Sequence, residues 1–268
     1  MGHLDGRVAI VTGAGRLRGI GRATAVALAT EGADVVVTGT GRDPASYPDD
    51  EKQAGSKDVE STAQQVRERG RRALTWVGDV SRAAAVQDLV DGVMATFGRV
   101  DVLVNNAAYP RGNDRVPITD LDEIVWRRVL EIKLTGAFLL SKRIVPIMVD
   151  QLWGRIVNLS SVAGKRGSPN TAAYNVANFG IQGFTQSLAM ELARHGITVN
   201  AVCPGTIDTA RMDVLGRGQG WQAQLERIPM GRAASDEEVA GLIGFLCSPA
   251  AAFMTGQSIN IDGGVVMW

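Results

Sequence analysis

The sequence has few of the residues that mark disulfide-rich or metal-dependent proteins. Its 268 residues include two cysteines and two histidines, and 5% of them are aromatic. The pair Cys203 and Cys247 cannot build a disulfide framework, and no CxxC pair indicates a zinc site. Because the histidines lie far apart in the chain and no acidic cluster accompanies them, we expect no bound metal.

Net charge and long apolar runs are also missing. The 28 basic side chains balance the 28 acidic ones, so no overall field draws the protein to nucleic acid or to an anionic membrane. The N-terminus has no apolar signal core, and no apolar run is long enough to span a bilayer. We therefore expect a cytoplasmic protein without nucleic-acid or membrane partners.

Glycine, by contrast, is abundant, and it occurs within an alternation of short β-branched runs and longer stretches of helical periodicity. The 32 glycines are about 12% of the chain, against a usual share of about 7%. The β-branched runs predict strands at 8–11, 34–38, 73–77, 100–105, 154–159, 198–202 and 258–261. The helical stretches are 20–29, 59–69, 83–97, 121–148, 171–193 and 236–246. This alternation predicts one α/β domain over residues 1–268, a doubly wound parallel sheet with helices on both faces.

Two segments interrupt the alternation. Residues 43–58 are polar, with prolines and charges, and are typical of a surface loop. Residues 205–231 contain several glycines together with Met212 and Trp221, and we expect them to form a lid over a substrate site. A plain connecting loop is the alternative for both segments.

A nucleotide site is indicated where the first strand runs into TGAGRLRGIG at residues 12–21 and then into an amphipathic helix. Glycines in such a turn let the backbone approach a pyrophosphate, and the helix N-terminus offers free N–H groups and a favourable dipole. A glycine cluster alone is a weak signal, but its place between a strand and a helix supports this interpretation.

On this glycine-rich segment and on motifs that follow it, the chain resembles the short-chain dehydrogenase/reductase family, essentially from end to end. The family's TGxxxGxG pattern is stretched by two residues between Gly13 and Gly19, and we take Thr12-Gly13 as the turn in preference to a register that starts at Gly15. Other matching motifs are DV at 79–80, NNAA at 105–108 where NNAG is usual, PGxxxT at 204–209, TG at 255–256 and DGG at 262–264. The resemblance implies a single Rossmann-type domain that binds NAD or NADP. The cofactor contacts that it implies are Gly13, Arg16, Arg18, Gly19, Ile20, Thr40, Arg42, Asp79, Val80, Asn106, Ala107, Tyr174, Asn178, Pro204, Gly205, Ile207 and Thr209.

The choice of cofactor is predicted from the end of the second strand. A carboxylate there would accept hydrogen bonds from the ribose of NAD and repel the 2′-phosphate of NADP. The sequence has Thr40 and Arg42 at this point and no acid before Asp43. Arg16 and Arg18 lie in the nearby glycine-rich turn. Because arginine binds phosphate in a bidentate manner, we predict NADP in preference to NAD, with solvated loop arginines as the alternative.

The same resemblance implies a catalytic tyrosine, a serine, a lysine four residues after the tyrosine, and an asparagine on the preceding long helix. Tyr174 matches the tyrosine, and Ser161 matches the serine. The lysine position holds Asn178, and the asparagine position in the IKLTG segment holds Lys133. The two identities are exchanged, and the predicted catalytic residues are Tyr174, Ser161, Lys133 and Asn178.

Helical spacing places Lys133 on a buried face. Its neighbours three and four residues away are apolar or small: Val129, Leu130, Gly136 and Ala137. An unpaired ammonium is costly on such a face, so we infer a role for it, with a lysine that snorkels from the helix edge as the alternative. An ammonium about 4 Å from a phenolate contributes about 4 kcal/mol at an effective dielectric constant of about 20. Neutral Asn178 cannot supply that stabilisation, whereas Lys133 can if it reaches the same pocket.

These features predict an NADP-dependent oxidoreductase that transfers a hydride between nicotinamide and a small carbonyl or secondary-alcohol substrate. Two other functions stay open: non-redox proton-transfer or lyase chemistry, and nucleotide binding with little or no catalysis because Asn178 replaces the usual lysine. The resemblance also implies a homotetramer, or a homodimer, in which the helices at 121–148 and 171–193 pack between subunits.

Overall fold

The computed structural model describes residues 2–268, and in this part of the chain seven strands form one parallel sheet. The strands are β1 (Val8–Val11), β2 (Asp34–Gly39), β3 (Ala73–Val77), β4 (Val102–Asn105), β5 (Gly154–Leu159), β6 (Ile197–Pro204) and β7 (Ser258–Ile261). Their order across the sheet is β3-β2-β1-β4-β5-β6-β7. The predicted doubly wound fold is confirmed, and the strand ends differ from the predicted ones by two residues at most.

The helices match the predicted ones except in three places. They are α1 (Ile20–Thr30), α2 (Asp49–Gln53), α3 (Val59–Arg67), α4 (Ala83–Phe97), α5 (Glu123–Leu130), α6 (Gly136–Asp150), α7 (Ala172–Leu192), α8 (Gln219–Glu226) and α9 (Asp236–Cys247). The predicted helix at 121–148 is interrupted, because a π-helical turn at Glu131–Thr135 joins α5 to α6. The short helices α2 and α8 lie in the two interrupting segments, where the sequence has no apolar periodicity long enough to predict them.

The side chains of β1 show how the core is divided between the two faces of the sheet. Ala9 and Val11 pack in the cluster formed with α1, α3 and α9, whereas Val8 and Ile10 pack with α4, α6 and α7. All four side chains are buried, because successive residues of a strand point to opposite faces. A strand covered on both faces is apolar throughout, which is the pattern that predicted these strands.

The direction of the strand order reverses at β1. This strand pairs with β2 on one side, where Ala9 lies opposite Val35, and with β4 on the other, where it lies opposite Val102. The chain leaves β1 and β4 toward opposite faces, so a crevice opens at their carboxyl ends. Within residues 2–268, no helix is both long enough and apolar enough to cross a bilayer.

Candidate functional site

A cleft of about 730 Å³ lies at the carboxyl ends of the strands. Its size is typical of a site for a small molecule or cofactor. Among the predicted site residues, those that line it are Gly13, Arg16, Arg18, Gly19, Ile20, Thr40, Arg42, Asp79, Val80, Asn106, Ala107, Lys133, Ser161, Tyr174, Pro204, Gly205, Ile207 and Thr209. Asn178 is absent from this lining within the described residues. Apart from Asn178, the fold therefore brings the predicted cofactor-binding and catalytic residues to one cleft.

The turn between β1 and α1, residues 12–19, is here called the phosphate turn. It is built around Gly13, whose φ of +66° lies in the left-handed region. Glycine adopts this conformation without strain, so the chain can turn sharply into the cleft. The hydroxyl of Thr12 accepts hydrogen bonds from the N–H groups of Asn106 and Ala107, both at 2.9 Å. The Asn106 amide in turn donates to the carbonyl oxygens of Thr12 and Gly13 at 2.8 and 3.0 Å. These bonds tie the turn to the end of β4.

The start of α1 approaches this turn closely. A Cβ atom at Gly21 would lie 2.5 Å from the Gly13 carbonyl oxygen and 2.6 Å from the Asn106 amide nitrogen. Any side chain at Gly21 would therefore push the helix away from the turn. A side-chain-free turn against a helix N-terminus is the feature that a pyrophosphate requires, so the residues present fit a dinucleotide.

Three arginines were predicted beside the adenosine end, and two of them are already paired with carboxylates. Arg18 contacts Asp50 at 2.6 Å and also pairs with Asp213. Arg42 donates to Glu51 at 2.8 Å and to Asp58 at 2.9 Å. Burial and the neighbouring Arg42 lower the pKa of Arg16, for which residues 2–268 contain no ion-pair partner within 4.0 Å.

The prediction that residues 43–58 form a surface loop is wrong for the two acids that pair with Arg42. Glu51 is fully buried and accepts a hydrogen bond from the Leu17 N–H at 2.9 Å. Asp58 is also buried, and its carboxylate lies against Gly15 and Gly39, with Oδ2 lacking a hydrogen-bond partner within residues 2–268. Ion pairing and backbone hydrogen bonds overcome the cost of burying these acids. Residues 43–58 thus place the Asp58 carboxylate at the end of β2, a position where the strand itself has no acid.

Asp79 follows β3 and is held at the rim of the same end. Its carboxylate accepts hydrogen bonds from the N–H and the hydroxyl of Ser81, and from Arg128 at 2.9 Å. Burial alone would raise the pKa of Asp79, but these hydrogen bonds and the Arg128 charge hold it below its ordinary value. Asp79 is therefore a fixed anion that orients the turn before α4.

The predicted tyrosine and serine lie at the other end of the cleft. Ser161 follows β5 and is buried, and its hydroxyl accepts a hydrogen bond from the Ala163 N–H at 3.2 Å. Tyr174 lies in the first turn of α7 with a half-buried side chain. Both line the cleft, so a substrate oxygen that enters it can meet a hydroxyl donor from each.

Asn178 does not face the cleft. Its side chain is 1% exposed, and its Nδ2 donates to the Tyr174 carbonyl one helical turn earlier at 2.8 Å. Within the described residues its Oδ1 has no hydrogen-bond partner. The amide therefore folds back on α7, and its place in the catalytic group remains a prediction.

Lys133 is buried, as its spacing predicted, and it lines the cleft from the π-helical turn. Interruptions of this kind are frequent at functional sites. Burial, together with the Arg211 guanidinium, lowers the pKa of Lys133 from its usual 10.5 to about 7. Among residues 2–268, no carboxylate pairs with it within 4.0 Å. Lys133 can therefore gain and lose a proton near neutral pH.

The predicted site omitted three arginines that surround Tyr174, namely Arg111, Arg115 and Arg211, here called the arginine triad. The Arg115 guanidinium lies 3.7 Å from the centroid of the Tyr174 ring, and that of Arg211 lies 5.6 Å from it. They come from irregular segments, where periodicity gives no direction for a side chain. The basic PRGNDR run at 110–115 was a signal that could have suggested part of the cluster.

Comparison with known proteins agrees with this architecture. The family model described as Enoyl-(Acyl carrier protein) reductase matches residues 13–266. The 3-oxoacyl-[acyl-carrier-protein] reductase of Synechocystis sp. is 41% identical over 271 residues, which cover 100% of each chain.

Solved structures of similar proteins extend the comparison to the fold. An NAD+-bound xylitol dehydrogenase is 35% identical, with a TM-score of 0.85 over 97% of this chain and 99% of that one. A gluconate 5-dehydrogenase from Burkholderia cenocepacia in complex with NADP and tartrate is 31% identical, with a TM-score of 0.85 over 98% and 96% of the two chains. Because these matches run nearly the full length of the chain at 31–41% identity, the chain is an oxidoreductase that belongs to the short-chain dehydrogenase/reductase family.

Proposed function

We propose that this oxidoreductase interconverts a carbonyl compound and a secondary alcohol, with NADP(H) as the preferred cofactor. The observation that carries the proposal is the placement of Tyr174 and Ser161 in the same cleft as the phosphate turn. A bound nicotinamide supplies the hydride in reduction and accepts it in oxidation. In reduction Tyr174 gives a proton to the carbonyl oxygen, while the Ser161 hydroxyl donates a hydrogen bond to that oxygen and holds it.

Lys133 and Asn178 are proposed to replace the usual lysine–asparagine pair. Lys133 lines the cleft and has a pKa of about 7, so it can restore the proton to Tyr174 at neutral pH. We expect the Lys133→Ala variant to lose most turnover but to keep dinucleotide binding. An unchanged rate would contradict the exchanged pair.

The preference for NADP(H) rests on Arg16, because its charge is not offset by a paired carboxylate within the described residues. The carboxylates on Arg42 and Arg18 reduce the attraction of the other two arginines for a 2′-phosphate. We therefore propose a modest preference, with NAD(H) also accepted. The test is the ratio of kcat/KM for NADPH and NADH, and a ratio that favours NADH would reverse this assignment.

The redox function is tested with a panel of ketones and 3-oxoacyl thioesters, in which nicotinamide absorbance and alcohol formation are followed together. We expect both signals to appear in equal amounts, and the Tyr174→Phe variant to lose at least about 100-fold in rate. Isothermal titration should show that the variant still binds the dinucleotide, so that the loss of rate reflects the missing phenolic proton and not a lost cofactor. Product formed without a change in absorbance would instead indicate proton-transfer or lyase chemistry.

A second candidate, a nucleotide-binding protein with little catalysis, is favoured by the position of Asn178. Its buried amide leaves no ammonium beside Tyr174 at this position of α7. The Asn178→Lys variant discriminates between the two functions. An increase of about tenfold or more in turnover would favour the second candidate, whereas a loss of turnover would favour an active exchanged pair.

A further inference from the structure

The substrate end of the cleft carries an excess of positive charge. Within residues 2–268, the one ion pair that the arginine triad makes within 4.0 Å joins the Arg115 Nε to the Asp114 Oδ2, which lie 3.4 Å apart. The Asp114 side chain is fully buried, and its carboxylate also accepts a hydrogen bond from the Gly112 N–H at 3.1 Å. One acid therefore faces three guanidinium groups, although the whole chain has no net charge.

The triad also keeps unused hydrogen-bond donors. Arg211 donates through Nη1 to the Tyr109 carbonyl at 2.6 Å, while its buried Nη2 has no partner within the described residues. The Arg111 guanidinium donates to the Met212 sulfur at 3.8 Å. A thioether sulfur is a weak acceptor. Burial lowers the pKa of Arg111 and of Arg211, and the like charge of Arg115 lowers both further. A bound anion would satisfy these donors and relieve the repulsion.

The triad joins two segments that border the substrate space. Arg111 and Arg115 follow β4, whereas Arg211 lies in the turn Ala210–Leu215 after β6, within the segment predicted as a lid. The Ala210 N–H donates to the Arg18 carbonyl at 3.1 Å, so the segment that carries Arg211 also contacts the phosphate turn. An anion held by arginines from both segments would draw the lid toward Tyr174.

We propose that the arginine triad binds a carboxylate or phosphate group of the substrate, beside the carbonyl that Tyr174 protonates. The inference rests on the proposed function. The substrate is then an oxo acid or an oxo phosphate. Its reduction transfers a hydride from the dihydronicotinamide to the carbonyl carbon and a proton from Tyr174 to the carbonyl oxygen. The C=O group becomes a secondary alcohol, the dinucleotide is oxidised, and the anionic group is unchanged.

Matched pairs of substrates test the charge requirement directly. Acetoacetate is compared with ethyl acetoacetate, and dihydroxyacetone phosphate with dihydroxyacetone, on the full-length protein with NADPH. We expect kcat/KM for the anion to exceed that for its neutral partner by at least about tenfold in one pair. The pair with the larger ratio identifies carboxylate or phosphate as the recognised group. A neutral partner that reacts as well as the anion in both pairs would overturn the proposal.

Variants then assign the effect to the triad. Arg115→Gln and Arg211→Gln should each raise KM for the anion by about 10- to 100-fold, a rise much larger than any change in KM for the neutral partner. Arg115→Lys and Arg211→Lys should each recover part of this loss. Arg69→Gln, at an exposed arginine after α3, is the matched control and should leave KM for both substrates unchanged. An equal loss for both substrates would mean that the arginines position Tyr174 instead, and would contradict anion binding.

A binding measurement separates this inference from the redox proposal. Malonate is titrated calorimetrically into the dinucleotide-bound protein, and we expect binding that Arg211→Gln weakens while dinucleotide affinity stays the same. Malonate binding without any turnover would support the anion site and contradict the redox function. Turnover of neutral ketones without malonate binding would do the opposite. A loss of dinucleotide affinity in Arg211→Gln would assign the triad to the cofactor and overturn the proposal.

Discussion

Lys133 shows how strongly one buried residue can make the stability of the protein depend on pH. Its folded pKa of about 7 lies below its usual 10.5 because burial disfavours the ammonium. Below pH 7 both the folded and unfolded chains are protonated, so the full cost of burial, on the order of 3–5 kcal/mol, opposes folding. As the pH rises from 7 to 10, the folded chain loses this proton before the unfolded chain does. This group therefore makes the protein more stable as the pH increases in that window.

We predict that Lys133→Met raises the free energy of unfolding by a few kcal/mol at pH 6 and by much less at pH 10. Urea unfolding at pH 6, 8 and 10 measures this difference. Lys142→Met, at an exposed lysine of α6, is the control and should show no such trend. A difference between Lys133→Met and the native protein that is constant with pH would show that the lysine is not neutralised by burial.

Asp58 is the second residue whose charge has a measurable consequence. Its carboxylate pairs with Arg42 and lies against Gly39 at the end of β2, where the ribose of a dinucleotide is expected. We predict that Asp58→Asn raises the preference for NADPH over NADH by about tenfold, because one guanidinium loses a competing anion. The measurement is the ratio of kcat/KM values for the two cofactors. Asp43→Asn, at an exposed acid nearby, should leave the ratio unchanged, and an Asp58→Asn ratio equal to that of the control would remove Asp58 from cofactor selection.

At the scale of elements, the parts that sequence could predict are those whose burial follows a local sequence pattern. Strands covered on both faces and the burial of Lys133 follow from local spacing. Asp58 does not, because its partner Arg42 lies 16 residues away and the intervening segment has no repeating pattern. The contact of Arg211 with Tyr109 spans 102 residues, so only the assembled fold brings the arginine triad together.

The contact between the phosphate turn and α1 supports a prediction about that element. Gly21→Ala should abolish dinucleotide binding and lower stability by about 1–3 kcal/mol, because the added Cβ would meet the Gly13 carbonyl at 2.5 Å. Gly92→Ala, in the open middle of α4, is the control, since it should raise stability by about 0.5–1 kcal/mol and preserve binding. Calorimetric titration and thermal unfolding measure both effects. Normal dinucleotide affinity in Gly21→Ala would show that the turn can move aside.

At the scale of the whole molecule, the chain leaves apolar side chains on the outer faces of α6 and α7. Phe138, Val176 and Phe179 are each between 45% and 48% exposed, although the core on both sides of the sheet is well covered. Trp268 at the C-terminus is 72% exposed. Large apolar side chains that are exposed on helix faces are typical of an interface. These faces belong to the helices that the sequence predicted to pack between subunits.

We predict that the protein is a homotetramer, or a homodimer, and that Phe179→Glu shifts it to a smaller species. Each copy of a symmetric interface would bury a charge in place of an aromatic ring, and burying such a ring contributes about 1.5–3 kcal/mol. Size-exclusion chromatography with light scattering gives the mass, and circular dichroism checks that the variant is folded. Ile118→Glu, at a 68% exposed residue before α5, is the control and should keep the native mass. A native protein that is monomeric, or a folded Phe179→Glu protein with the native mass, would contradict an interface through α7.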